Sequence, residues 1–344
     1  MMRAPQFRYH AAKNVTDAAT ALAGEEHAML LAGGTDLVPN MKRRQQTPAL
    51  VIGIRHLPAL RHISNGDGLT IGACATLSEI VESRKLKVEH AALRKAAGSV
   101  ATVHLRNMGT LGGNLCLDTR CNYYNQNHEW RQAISFCMKA PASTKGHACA
   151  SPDGTSICWV ATSSPRCWAV SSTDTAPALI ALGAEVTLLG PDGERRIPLE
   201  QLYRNDGMAY LTKQRHEMLV SVHLPSHQPP ATSHQRSTYW KLRRRGSFDF
   251  PVLGVAAAIR FGAGNVVESA RVVLGAVQSY PMLLEESATL AGRTLSDEVI
   301  REFADTVARH ARPMDNTDFE LGWRKKVVKS YVRGALEELR TATA

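Results

Sequence analysis

Ala28-Met29-Leu30-Leu31-Ala32-Gly33-Gly34-Thr35-Asp36-Leu37 passes from a short apolar run through a glycine pair to an acidic residue. The apolar run suits a buried strand, and the residues after it suit the start of a helix. Between them, Gly33 and Gly34 leave backbone N–H groups uncovered by side chains, and Thr35 adds a hydroxyl donor. A turn of this kind can receive phosphate. Asp36 would repel phosphate directly, so its expected role is to cap the helix or contact a sugar hydroxyl. Pro39 limits the regularity of the first helical turn. The segment has neither the Rossmann glycine fingerprint nor the lysine of a P-loop. On these residues alone, an ordinary strand-to-helix turn is the favoured reading.

Outward from this turn the chain alternates. Phe7 and Tyr9 begin an extended piece, and residues 15–22 have helical periodicity behind a candidate N-cap, Asn14. Residues 50–54 form the next strand, with Pro48 favouring extended backbone before it. This first unit covers residues 1–58. A second unit, 59–226, reads as a strand at 69–73 and helices at 77–81 and 90–100. It continues through periodic structure at 176–182 and strands at 185–189 and 220–224, the former closed by Gly190-Pro191-Asp192-Gly193. Residues 225–237 are rich in Pro, Ser, His and Gln and read as a linker. A third unit, 236–344, has strands at 239–242, 256–261 and 270–274 and helices at 296–311 and 323–339.

A second glycine-rich turn, Arg106-Asn107-Met108-Gly109-Thr110-Leu111-Gly112-Gly113-Asn114, lies in the middle unit. Two such turns could close on the two ends of a dinucleotide. Together with Ala32-Gly33-Gly34-Thr35-Asp36-Leu37, it resembles the paired FAD-binding signatures of flavoprotein subunits in the xanthine dehydrogenase and carbon monoxide dehydrogenase family. Thr173-Asp174-Thr175-Ala176-Pro177-Ala178-Leu179 resembles a third family segment, although many relatives have glycine where this chain has Thr173. The resemblance spans nearly the whole chain. It implies an α+β protein: a two-part α/β FAD-binding domain of the PCMH type, followed by an α+β domain like the C-terminal domain of carbon monoxide dehydrogenase flavoproteins. It also implies FAD contacts from Ala32, Gly33, Gly34, Thr35, Asp36, Leu37, Asn107, Thr110, Leu111, Gly113, Asn114, Asp174 and Lys241. The implied partners are a molybdopterin-binding large subunit and a 2Fe-2S small subunit, in a dimer of heterotrimers. Substrate chemistry then belongs to the large subunit, and no catalytic residue is expected in this chain.

Six of the seven cysteines fall between Cys116 and Cys167. The N-terminal residues carry no apolar stretch suited to a signal peptide, so a cytoplasmic location is expected, where a disulfide framework is disfavoured and a metal site is the better use of thiols. Spacing alone leaves a four-cysteine zinc site and an iron–sulfur cluster equally open. Asn114-Leu115-Cys116-Leu117-Asp118-Thr119-Arg120-Cys121-Asn122-Tyr123-Tyr124, Phe136-Cys137-Met138-Lys139, Cys158-Trp159-Val160 and Ser164-Pro165-Arg166-Cys167 resemble the beta subunits of 4-hydroxybenzoyl-CoA reductases. That resemblance implies a 4Fe-4S cluster on an inserted loop, about 116–170, held by Cys121, Cys137, Cys158 and Cys167, which are 16, 21 and 9 residues apart. Cys149, inside an additional insertion at 140–152, is the rival third ligand. Cys116 and Cys74 are expected to be packed thiols.

The same resemblance implies an electron-transfer oxidoreductase subunit that serves reductive dehydroxylation of 4-hydroxybenzoyl-CoA to benzoyl-CoA, with a ferredoxin as electron donor. The alternatives are the FAD subunit of a related molybdenum hydroxylase with another substrate, or a non-redox zinc-binding docking protein. Other classes find less support. The formal charge of +10 is spread along the chain, with short runs at 42–44, 243–245 and 324–326, and no nucleic-acid-binding motif accompanies it. The runs suit a solvated face or an acidic partner. No apolar run reaches membrane-spanning length. Tyr239, Lys241 and Arg243 alternate along a strand and should share one side, either toward flavin or toward solvent. Trp130, Trp159 and Trp168 are candidates to shield the cysteine site.

Overall fold

The computed structural model describes residues 3–140, 157–226 and 233–341. Three sheets follow one another along the chain. The first is parallel: β1 (Arg8–Ala11), β2 (Ala28–Leu31) and β3 (Leu50–Gly53), ordered β1-β3-β2. The helix Val15–Gly24 connects β1 to β2, and the Asn14 side chain accepts from the Asp17 N–H at 2.8 Å, as the N-cap reading expects. Its buried face, Ala18, Ala19 and Leu22, packs with Ile52 and Ile54. The glycine turn Gly33-Gly34 leaves the end of β2 and feeds the short helix Leu37–Lys42.

The second sheet contains β4 (Ile63–Gly66), β5 (Gly68–Gly72), β6 (Glu185–Gly190), β7 (Gly193–Pro198) and β8 (Met218–Leu224) in the order β4-β5-β8-β6-β7. Every neighbouring pair is antiparallel. The edge strands β4 and β7 had no apolar signature to announce them: β7 reads Gly-Glu-Arg-Arg-Ile-Pro, and most of it faces solvent. Charged residues suit an unpaired edge because they discourage pairing with another chain. Three helices, Leu77–Glu82, Ala91–Ser99 and Thr175–Ala181, cover this sheet. Thr76 and Glu79 form a reciprocal capping box at the first of them.

The third sheet is antiparallel, ordered β12-β11-β10-β9, from β9 (His234–Leu242), β10 (Leu253–Phe261), β11 (Val267–Gly275) and β12 (Met282–Leu283). Both faces of β10 are buried. Val255, Ala257, Ile259 and Phe261 point into a core with the helices Asp297–Val307 and Leu321–Thr341. Ala256 and Ala258 point the other way, into the core shared with the helices of the middle unit. Buried Phe303 alone contributes about 1.5–3 kcal/mol by leaving water.

Two expectations change. The linker reading of 225–237 fails at its end, because β9 begins at His234 and pairs His234, Gln235, Arg236 and Ser237 with Phe261, Arg260, Ile259 and Ala258. Polar residues are tolerated there because β9 is an edge strand. The basic run at 324–326 is not wholly a solvated face: Arg324 is buried and donates to the carbonyls of Met314, Val252 and Ala276. Burial pulls its guanidinium down to about 10.

Candidate functional site

The two glycine turns lie against each other. A Cβ on Gly33 would stand 1.9 Å from the Met108 carbonyl oxygen, so only glycine allows this approach. A Cβ on Gly112 would meet the Ala73 Cβ at 2.8 Å, which seats the second turn on the middle sheet. Thr76 and Thr110 form an antiparallel bridge that fixes the second turn, with Leu77 N–H donating to Gly109 O and Leu111 N–H to Ala75 O.

The turns differ in their free donors. Among the described residues, the backbone N–H groups of Gly33, Gly34, Thr35 and Asp36 have no protein acceptor. Four successive free N–H groups suit an anionic oxygen. In the second turn, Gly112 N–H donates to Ala73 O, Gly113 N–H to Thr110 Oγ1, and Asn114 N–H to Thr110 O. That turn therefore shapes the wall and leaves fewer backbone donors than the first. Asn114 also works inward, its Oδ1 accepting from Thr173 Oγ1, Thr175 N–H and Thr175 Oγ1.

Asp36 sits at the N-cap position of the helix Leu37–Lys42 but makes no side-chain cap bond. Its carboxylate instead accepts from Asn40 Nδ2 at 2.8 Å and pairs with Arg120. Burial pushes this carboxyl above its usual range, and Arg120 opposes the shift. The guanidinium of Arg120 also lies 4.6 Å from the Phe250 ring centroid, so one side chain ties the first turn to the cysteine segment and the third unit.

Tyr239, Lys241 and Arg243 do share a side, and it is not solvated. Tyr239 Oη donates to Asp174 at 2.8 Å, Lys241 Nζ to Asp174 at 2.9 Å and to Ser99 O at 3.1 Å, and Arg243 to Ser99 O at 3.0 Å. Burial raises the Asp174 carboxyl and lowers the Lys241 ammonium, and their mutual attraction opposes both shifts. Asp174 and Lys241 thus meet each other beneath the second turn.

Cys121, Cys137, Cys158 and Cys167 come together from four separate loops and are all buried. They line one small cavity, together with Tyr123, Tyr124, Met138 and Trp159. No three His, Cys, Asp or Glu side chains among the described residues converge closely enough to hold a single metal ion. Four buried thiols lining one cavity are a donor set that a group taking one sulfur at each of four corners can use. The Cys158 thiol is pulled down to about 5 by its hydrogen bond with Cys167, whereas burial pushes Cys121 up to about 12. Cys74 and Cys116 do not line this cavity, as expected of packed thiols, and burial raises both. Cys149 and nearly all of the 140–152 insertion lie outside the described residues.

Trp159 lines the cavity and donates its indole N–H to Phe136 O at 2.5 Å. Trp130 is partly exposed and Trp168 bonds Ser164, so neither lines it. Sequence reasoning assigned no role to Asp118, Arg120, Lys139 or Tyr210, although the first three stand beside the quoted cysteines. Charged residues one to three places from a cysteine were the available signal.

Residues 5–227 match the family model described as the FAD-binding domain in molybdopterin dehydrogenase, and residues 237–339 match the carbon monoxide dehydrogenase flavoprotein C-terminal domain. The chain is 28% identical to the aldehyde oxidoreductase FAD-binding subunit of Escherichia coli, over 96% of this chain and 98% of that one. It is 25% identical to the carbon monoxide dehydrogenase medium chain of Hydrogenophaga pseudoflava, over 96% of both. Among solved structures, a chain of the reconstituted carbon monoxide dehydrogenase of Oligotropha carboxidovorans superposes with a TM-score of 0.76 at 23% identity, covering 99% of this chain and 100% of that one.

Proposed function

The chain belongs to the family of FAD-binding subunits of molybdopterin dehydrogenases, and from that premise we propose that it is the FAD- and 4Fe-4S-bearing electron-transfer subunit of a 4-hydroxybenzoyl-CoA reductase. The observation that carries this reading is the set of four buried thiols around one cavity, Cys121, Cys137, Cys158 and Cys167. Likeness of the surrounding segments to the reductase beta subunits supplies the substrate.

In this reading the free N–H groups of residues 33–36 hold the flavin pyrophosphate. The residues around Asn107, Thr110, Leu111, Gly113 and Asn114 form the opposing wall. Asp174, braced by Lys241 and Tyr239, fixes the floor. When bound, FAD exchanges one or two electrons and the cluster exchanges one, which lets single-electron carriers serve a two-electron reaction. Dehydroxylation of 4-hydroxybenzoyl-CoA consumes two electrons and two protons and releases benzoyl-CoA and water. That chemistry would occur on a molybdopterin-binding large subunit, reached through a 2Fe-2S small subunit, with a ferredoxin as donor and a dimer of heterotrimers as the assembly.

A second reading, the FAD subunit of a hydroxylase, is favoured by relatives whose names specify aldehydes and carbon monoxide. Purification of the whole complex without oxygen separates the readings. The reductase reading expects one FAD and about four irons on this subunit and benzoyl-CoA formed from 4-hydroxybenzoyl-CoA under a low-potential reductant. Absence of iron from this subunit, or turnover of an aldehyde in place of the thioester, overturns it.

A further inference from the structure

Lys139 is the sole charged side chain lining the cysteine cavity among the described residues. Only 6% of its side chain is exposed, and its partner Asp118 is also buried. The ammonium is held from several directions. It donates to Asp118 Oδ1 at 2.7 Å, Gly207 O at 2.8 Å and Thr119 O at 3.1 Å, and it also bonds Thr119 Oγ1. Its Nζ lies 5.0 Å from the Tyr124 ring centroid and 5.5 Å from that of Tyr210, so two electron-rich faces flank it. A long, flexible side chain has been fixed in place at the wall of the thiol cavity.

We propose that Lys139 sets the reduction potential of the group bound by the four cysteines, and that Asp118 limits how far it does so. This rests on the 4Fe-4S reading above. A cubane ligated by four thiolates is anionic, and reduction adds one further negative charge to it. A fixed ammonium at the cavity wall therefore favours the reduced form over the oxidised one. Asp118, beyond the ammonium, offsets part of this field. Net charge, hydrogen bonding and burial are the levers by which a protein tunes such a site. For a charge buried at the wall of the site, one unit changes the equilibrium appreciably.

The two residues therefore make opposite predictions, and damage to the fold would not produce them. The complex is titrated anaerobically with dithionite through redox mediators, one electron passing from reductant to cluster, and the reduced cluster is followed by electron paramagnetic resonance. K139Q should keep its iron and FAD and become harder to reduce. A roughly tenfold loss in the reduction equilibrium is expected, which is about 59 mV for a one-electron couple. D118N should shift in the opposite direction. If K139Q loses its iron, D118N decides: a raised potential supports the inference, and an unchanged or lowered one overturns it. An iron-replete K139Q with the parental midpoint overturns the inference alone. A parental complex without iron on this subunit overturns the proposed function, and this inference with it.

Discussion

Lys241 Nζ lies 2.9 Å from the Asp174 carboxylate, with 4% and 3% of the two side chains exposed. Lys241 belongs to β9 of the third sheet, and Asp174 sits at the N-cap position of the helix Thr175–Ala181 of the middle unit, so the pair ties the two together. Removing one partner leaves a buried charge uncompensated, whereas removing both leaves none. K241M and D174A should each cost about 3–5 kcal/mol in urea denaturation, and the double variant should recover much of that loss. Additive costs would show that the ions act separately. Flavin content should fall in D174A, because the floor beneath the second turn loses its brace.

The contact between Gly33 and Met108 gives a second prediction. A valine at position 33 drives its Cβ into the Met108 carbonyl, 1.9 Å away, and parts the two turns. G33V should lose most of its bound FAD while the second and third sheets keep their cooperative unfolding. G112V, pressed against Ala73, should do the same with a larger loss of stability, because its contact is in the core of the middle unit. Absorbance ratios on the purified complexes measure occupancy. Full flavin in both variants would remove these turns from the binding site.

The two turns were legible because each placed glycines at a point of close backbone approach, and the thiols because six cysteines crowded into one stretch. Helices with a cap and a regular apolar face, such as Asp297–Val307 behind Ser296, were equally open to reading. Other features depend on distant partners. Nothing local to Lys139 says that Gly207 will offer its carbonyl, or that Tyr210 will stack nearby. Arg324 resembles its exposed neighbours Lys325 and Lys326 in sequence, yet three carbonyls from separate segments draw it inside. Likewise, β7 is a strand because β6 supplies a ladder, although its own residues have a surface composition.

Glu217 supplies a pH dependence whose sign is fixed. Arg195 donates to its two oxygens at 2.5 and 2.8 Å, and Gln214 N–H donates at 2.6 Å. The Arg195 bond, then the backbone bond, holds this carboxyl below the usual carboxylate range against the opposing effect of burial. A carboxylate depressed in the folded state stabilises fully above its unfolded pKa, and that contribution is lost as pH falls through the folded value. E217Q should therefore be less stable than the parent by about 1 kcal/mol at pH 7, a figure kept small because Arg195 is partly exposed. The gap should close as pH falls below the ordinary glutamate range. A gap that is constant from pH 7 down to acid unfolding would show that the charge contributes nothing.

The cysteine loop offers the sharpest separation of cofactor from scaffold. Cys158 lines the cavity beside Cys167 and is hydrogen-bonded to it, so on the proposed reading replacing its sulfur removes one corner of the ligand set. The core of the middle sheet is built from residues outside this loop, including Leu69, Ile71, Val186 and Val222. C158S should therefore lose about four irons per subunit and retain FAD. C74S and C116S should retain both, because their sulfurs lie outside the cavity. If C149S loses the iron while C158S does not, the third ligand is Cys149. The same variant tests the route of electrons. Dehydroxylation of an aromatic ring needs strongly reducing input, and an iron–sulfur site can operate at such potentials. If electrons enter there, a reduced ferredoxin mixed anaerobically with the C158S complex should reduce its flavin far more slowly than in the parent. Flavin reduction at the parental rate, with FAD and the partner cofactors intact, would place the entrance elsewhere.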